Sequence, residues 1–270
     1  MSQSMAAEES IAVIKVGGSI LTSAKAYRRA ATFVRHTLRT APHERLVVVV
    51  SAQEGTTDRL ERGARMIVRE PARAALDLLW STGEIRSVAL LTLHLQRLGV
   101  AAAPLNIHEA GLTVPETENE VGRIHLHAGR LRSVLAKFPV AVVPGFLAAN
   151  SANTIVALGR GGSGLTAVLL AEGLRACRCE LIKDVPGYFT ADPHRDSSAS
   201  HIPHLTFEHA LQLAAGCDLV QRRAIEAAAR AGLPLVIRSV DEKAPCSRIS
   251  HFAIETARAP RETSAAASAD

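Results

Sequence analysis

Three clusters of residues in this sequence are suited to handling phosphate. Lys15 ends an apolar run, Ile11-Ala-Val-Ile14, directly ahead of Gly17-Gly18-Ser19. Glycines at a strand-to-helix turn let backbone N–H groups approach an anion, and the next helix points its positive end the same way. The chain has five lysines against 26 arginines, and a lysine inside an apolar strand needs a partner for its charge. The plain alternative is a lysine that snorkels out at a strand end. The second cluster is Gly159-Arg160-Gly161-Gly162-Ser163-Gly164. It flows into an apolar helical stretch, which makes a second anion site at a helix N-terminus a better reading than a flexible linker. Arg160 suits a two-pronged grip on a carboxylate or phosphate. The third is Lys183-Asp184, two charges at the end of another apolar run, ahead of Pro186-Gly187.

Such a set can hold a nucleotide facing a small anionic acceptor. Phosphoryl transfer rests on positioning and charge neutralisation, which lysines and backbone amides supply. The spacing is not that of a Walker loop, because Gly-x4-Gly-Lys-Ser/Thr is absent. Cys177, Cys179, Cys217 and Cys246 show no zinc-type C-x2-C spacing, and no metal-ligand cluster stands out, so no protein-held metal is expected. A magnesium ion is expected to arrive with the nucleotide.

The elements that must position these residues alternate. Val47 to Val50 lie in a second unbroken apolar strand, the pattern of a parallel sheet buried on both faces. Ser51 to Asp58 form a polar loop, and 59–80 read as helical. Ser81-Thr82-Gly83-Glu84 is expected to open a further helix over 85–98, with Glu84 favourable to the dipole at its start. Gly99 to Leu105 lead into a third short strand, 106–125 read as loop with a short hairpin, and 126–137 as helix. A strand over 139–146, a hairpin over 148–155 and a helix over 167–175 follow. Then come a strand from Glu180, turns at Pro186-Gly187 and Asp192-Pro193, helices over 206–215 and 218–230, and a last strand over 233–238. The chain turns polar from Asp241, and 253–270 are expected to be a disordered tail. This alternation predicts an α/β fold with a mostly parallel sheet, whose ligands bind at the carboxyl ends of the strands.

Composition narrows the function further. The apolar share is 47% and the aromatic share 3%. Base-stacking nucleic-acid modules need exposed aromatic platforms that this chain does not have to offer. The net charge of +5 fits a small anionic ligand, and the arginines are spread rather than clustered. No apolar run approaches the roughly 18 residues of a membrane span. Residues 1–10 lack the basic and apolar regions of a signal peptide. No nucleic-acid or membrane partner and a cytoplasmic setting are the expectations.

The chain resembles the amino acid kinase family, and within it the catalytic domain of aspartokinases. The resemblance is carried by Lys15-Val-Gly-Gly-Ser19, Val50-Ser-Ala52 with Thr56-Thr57-Asp58, Gly83-Glu84, Pro144-Gly-Phe146, Leu158-Gly-Arg-Gly-Gly-Ser163, Lys183-Asp-Val-Pro-Gly187 and Thr190-Ala-Asp-Pro193. Arg223-Ala-Ile225 and Gly232-Leu-Pro234 match as well. It implies a three-layer αβα sandwich of the amino acid kinase and carbamate kinase type over 10–252, with an acceptor lobe (10–147) and a nucleotide lobe (148–252). It implies transfer of the γ-phosphate of ATP to a small carboxylate such as aspartate, in a protein that forms homo-oligomers. Lys15 and Lys183 are the implied catalytic cations. Gly17, Gly18, Ser19, Gly161, Gly162, Lys183, Asp184, Phe189, Asp192 and Pro193 border the nucleotide. Ser51, Thr57, Glu84, Arg160 and Ser163 border the acceptor, with Glu84 toward an amino group and Arg160 toward a carboxylate.

The sequence departs from the aspartokinase pattern at several places. Gly164 stands where those enzymes carry an aspartate, Asp218 where they carry a lysine, Phe189 for a tyrosine and His194 for an arginine. The ACT regulatory domains usual after this point are not expected. Two other readings therefore stand beside the first: a member using a phosphate or phosphonate acceptor, and a nucleotide-binding protein with little catalysis.

Overall fold

In the buried strands, alternate residues feed two different cores, and this fixes the layers. The computed structural model describes residues 10–115, 124–159, 161–193, 195–216 and 219–252. The first half runs β1 (Ser10–Val16), α1 (Ala24–Thr40), β2 (Glu44–Val50), α2 (Thr56–Ile67), α3 (Arg73–Arg97), β3 (Ala102–Pro104), α4 (Ile107–Ala110), β4 (Leu112–Val114), β5 (His125–Leu126), α5 (Gly129–Leu135) and β6 (Val140–Pro144). The second runs β7 (Leu147–Asn150), β8 (Ile155–Ala157), α6 (Gly162–Leu174), β9 (Arg178–Ile182), β10 (Tyr188–Phe189), β11 (His201–Ile202), β12 (His204–Thr206), α7 (Phe207–Leu213), α8 (Arg222–Ala231), β13 (Leu235–Arg238) and β14 (Ser247–Ser250).

Eight strands form the main sheet in the order β12-β14-β13-β9-β1-β2-β6-β3. Every pairing in it is parallel except β13 with β14. β1 lies between β2 and β9, so that Lys15 faces Val49 on one side and Leu181 on the other in register. Val13, Val47 and Val49 pack with α5, α6 and α8. Ala12, Ile14, Val16, Val48 and Val50 turn the other way, toward α1 and α3. Period-two alternation thus splits one sheet between two helical layers, the three-layer αβα arrangement expected.

The helical reading of 59–80 and of 85–98 needs correction. The break falls at 68–72, around Pro71, and α3 then runs unbroken through Ser81-Thr82-Gly83-Glu84. Gly83 does not interrupt the helix because it is a packing residue. A Cβ at 83 would stand 3.1 Å from both the Ala52 Cβ and the Thr56 Cγ2, so the missing side chain lets α3 close against the end of β2. Glu84 is therefore mid-helix and buried rather than a helix-start residue. The polar stretch after Asp241 also contains a strand, β14, whose Ile249 is fully buried. Cys179 lies inside β9, between β13 and β1, and burial pushes its thiol up to about 12. The expected tail, 253–270, and the expected absence of a signal sequence at 1–9 lie outside the described residues. Among the described residues no helix is long and apolar enough to cross a membrane.

Candidate active site

At the carboxyl end of the main sheet the end of β1 meets the loops after β2 and β6 and the glycine loop, which follows β8 of a separate four-stranded sheet. Together with α3 they enclose a cleft of about 430 Å³ whose wall includes Lys15, Ser51, Thr57, Glu84, Gly161, Gly162 and Ser163. Seven predicted site residues from both halves of the chain thus meet in one place. The halves are also tied directly: the Ser51 hydroxyl donates to Ser163 Oγ at 2.9 Å, across 112 residues.

The glycine loop turns into α6 through Gly161, whose φ of 64° lies in the left-handed region that glycine adopts without strain. The N-terminal end of α6 then opens on the cleft with Gly162 and Ser163 on its wall. Thr166, one turn along, fixes this entry: its Oγ1 donates to the Gly162 carbonyl at 3.0 Å and accepts from the Phe146 N–H at 3.1 Å. Phe146 itself has φ of 70°, a conformation unusual outside glycine that clusters at functional sites.

Lys15 is 7% exposed, and its pKa falls from 10.5 to about 7. Burial is the main cause and the nearby Lys183 cation the second, while Glu84 acts in the opposite direction. Its ammonium lies over Gly17, where a Cβ would stand 3.2 Å from Nζ. Glu84 is 3% exposed, and burial drives its carboxyl up to about 8 against the Ala52 backbone hydrogen bond and the Lys15 charge. Glu84 Oε2 is buried without a hydrogen-bond partner. A cation and a carboxyl, both driven toward neutrality by dehydration, face a cleft in which a charged ligand would satisfy each.

A smaller cavity of about 90 Å³ continues from the cleft, lined by Lys15, Lys183, Gly161, Gly164 and Gln221. Two lysines thus flank a space the size of a few atoms, which favours a concentrated negative charge. Lys183 and Asp184 also line a pocket of about 320 Å³ that includes Ser19. Farther along, Phe189, Asp192 and Pro193 line a pocket of about 580 Å³ with Tyr188 and Leu213. Gly18 packs against the chain rather than lining a cavity: a Cβ there would lie 2.7 Å from the Ala52 carbonyl. Arg160, His194 and Asp218 lie outside the described residues. At Gly164 a Cβ would meet only the Ala224 Cβ, at 3.7 Å, so the position has room for a side chain.

Sequence reasoning did not assign Arg73, Trp80 or Gln221 to the site. Trp80 lines the cleft one turn before Glu84, tilted against Phe146 at 6.0 Å, with the Arg73 guanidinium 5.4 Å over its ring. Arg73 is held there by Asp77 at 2.8 Å and the Ala157 carbonyl at 3.2 Å. The signal was available: Arg73, Asp77, Trp80 and Glu84 recur at helical spacing on one face once Gly83 is read as interior. The amide of Gln221 sits where a Cβ of Gly161 would be, 1.6 Å from that point, a long-range contact that spacing does not reveal.

Comparison with known proteins agrees with this geometry. The model of the amino acid kinase family matches residues 10–239. An aspartokinase of Geobacillus stearothermophilus is 37% identical over 195 residues, covering 72% of this chain and 48% of that protein. One from Thermus thermophilus is 34% identical over 250 residues, covering 92% of this chain and 61% of its own length. The crystal structure of an aspartate kinase from Synechocystis superposes with a TM-score of 0.79 at 32% identity, over 91% of this chain and 40% of that one. The chain therefore spans less than two-thirds of the length of these relatives.

Proposed function

Because the chain belongs to the amino acid kinase family, we propose that it transfers the γ-phosphate of ATP to the side-chain carboxylate of aspartate, forming 4-phosphoaspartate and ADP. The observation that carries this reading is the place of Lys15. It is buried between Glu84, on the wall of the larger cleft, and Lys183, on the wall of the lysine cavity. A group at that junction touches whatever passes from one compartment to the other.

The roles follow from the compartments. The larger cleft takes the acceptor: Glu84 receives the amino group, while Ser51, Thr57 and Ser163 offer hydroxyls, and Arg160 is assigned to the α-carboxylate. The attacking carboxylate oxygen forms a bond to phosphorus as the bond from phosphorus to the bridging β-phosphate oxygen breaks. Lys15 and Lys183 hold the charge that spreads over the transferring oxygens, a task for which preorganised cations in a dry site are effective. Gly17, Gly161 and Gly162 bring backbone close to the phosphates, with Ser19 and Asp184 beside them, while Gly18 holds the loop after β1 against Ala52. Phe189, Asp192 and Pro193 border the base and ribose. Magnesium carried by the nucleotide would add positive charge to the phosphates, with Asp184 the carboxylate on that wall. The acceptor lobe is assigned to 10–147 and the nucleotide lobe to 148–252, and a cytoplasmic setting suits ATP as donor.

Purified protein supplied with ATP and L-aspartate should release ADP and form an acyl phosphate that hydroxylamine traps as the hydroxamate. ADP release with a phosphonate or phosphate acceptor and none with any carboxylate would overturn the aspartate reading in favour of another acceptor.

The protein should also self-associate. Leu78, Ile85 and Leu93 are 60%, 40% and 60% exposed on α3, with Thr82 and Ala89 between them on the same face. The stripe is nearly symmetric about Ile85. A two-fold axis there sets Leu78 of one copy against Leu93 of the other, and Thr82 against Ala89, as a self-complementary contact requires. Sedimentation should show a dimer or larger species, and Ile85→Lys should shift it to monomer. A wild type that sediments as monomer at high concentration would rule the contact out.

A further inference from the structure

Two buried polar atoms on the wall of the acceptor cleft have no hydrogen-bond partner: the Trp80 indole Nε1 and Glu84 Oε2. They stand four residues apart on α3 and line the same cleft, so their side chains project one above the other, on the order of 5–6 Å apart at their bases. One is a donor only and the other an acceptor when ionised. An unmade hydrogen bond at a buried group is unfavourable, and native proteins leave few of them.

We propose that the Trp80 indole N–H is part of the acceptor subsite, donating to a carboxylate oxygen of the acceptor while Glu84, one turn on, takes its ammonium. The ligand that satisfies both is a free α-amino acid, in which a cationic donor and an anionic acceptor share one carbon. This rests on reading the cleft as the acceptor site, and it makes the site selective for an unmodified amino acid over a simple dicarboxylate. The indole is partly exposed along the wall while its N–H is buried, so on this proposal ligand binding rotates the ring to bring the N–H to the carboxylate. Arg73, lying over the ring and tied to Asp77, keeps the indole against the cleft.

Trp80 is the only tryptophan in the chain, so its emission reports the subsite without labelling. Titrating the wild type with L-aspartate should give a saturable change in emission, and succinate, which lacks the amine, should need at least tenfold higher concentration. Trp80→Phe should raise the KM for aspartate on the order of tenfold to a hundredfold, the loss of one hydrogen bond to a charged group, and leave the KM for ATP unmoved. Aspartate turnover with no emission change and an unaltered KM in Trp80→Phe would overturn the assignment and leave the kinase reading standing. A saturable emission change without any turnover would support the subsite and overturn the kinase reading instead. No emission change and no turnover would remove both.

Discussion

Replacing Lys15 by methionine should lower turnover by about a thousandfold or more, the scale seen when a preorganised charge-stabilising group is removed from a transition state. The protein should nonetheless melt no lower than the wild type. The two expectations have one cause. Lys15 is dehydrated on the strand that carries the sheet, beside a second lysine, and an isolated buried ammonium destabilises the fold unless something anionic meets it. Methionine fills similar volume without the charge. Turnover by coupled ADP release and melting by calorimetry check both. Turnover within tenfold of wild type would remove Lys15 from the reaction.

Glu84→Gln should reduce kcat/KM for aspartate about a hundredfold or more and change the pH dependence of stability. Removing one partner of a buried charge pair with a ligand leaves the other uncompensated, hence the size of the loss. The sign of the pH effect follows from proton counting. Burial raises the folded Glu84 pKa to about 8 from 4.5, so between those values the folded chain keeps a proton that the unfolded chain has released. That contribution is fully present below about 4.5 and is lost as pH rises through 8. Lys15 runs the other way. Its folded pKa near 7 is below 10.5, so its contribution is present above 10.5 and lost as pH falls through 7. The wild type should therefore lose stability from mildly acidic pH toward neutrality and regain it in base. Glu84→Gln should abolish the acidic limb and keep the basic one, which melting temperatures from pH 5 to 10 would display. An unchanged profile would mean that Glu84 is ionised and paired in the empty protein.

Much of this site could be read before any coordinates. The apolar strands, the glycine loop and the strand-end lysines are local signals, each set by residues within a few positions of one another, and β1, β2, β6 and β9 fall where they were expected, while α6 starts at Gly162, inside the glycine run, rather than at 167. The misreading at Glu84 shows the limit. Gly83 has the local look of a helix boundary, and only contact with Ala52 and Thr56 makes it an interior residue. Without a continuous α3, Trp80 and Arg73 do not share a face with Glu84. The same holds for Gln221 over Gly161, which depends on two loops some sixty residues apart. The strand at Ser247–Ser250 was hidden because its exposed positions are polar and its buried ones few.

The central position of β1 has a consequence for how such a protein can diverge. Its two neighbours in the sheet lead to different compartments, β2 to the larger cleft and β9 to the lysine cavity. Under the proposed function, a substitution after β2 acts first on the acceptor and one after β9 first on the phosphates, while Lys15 and Gly161, which border both compartments, are held to both.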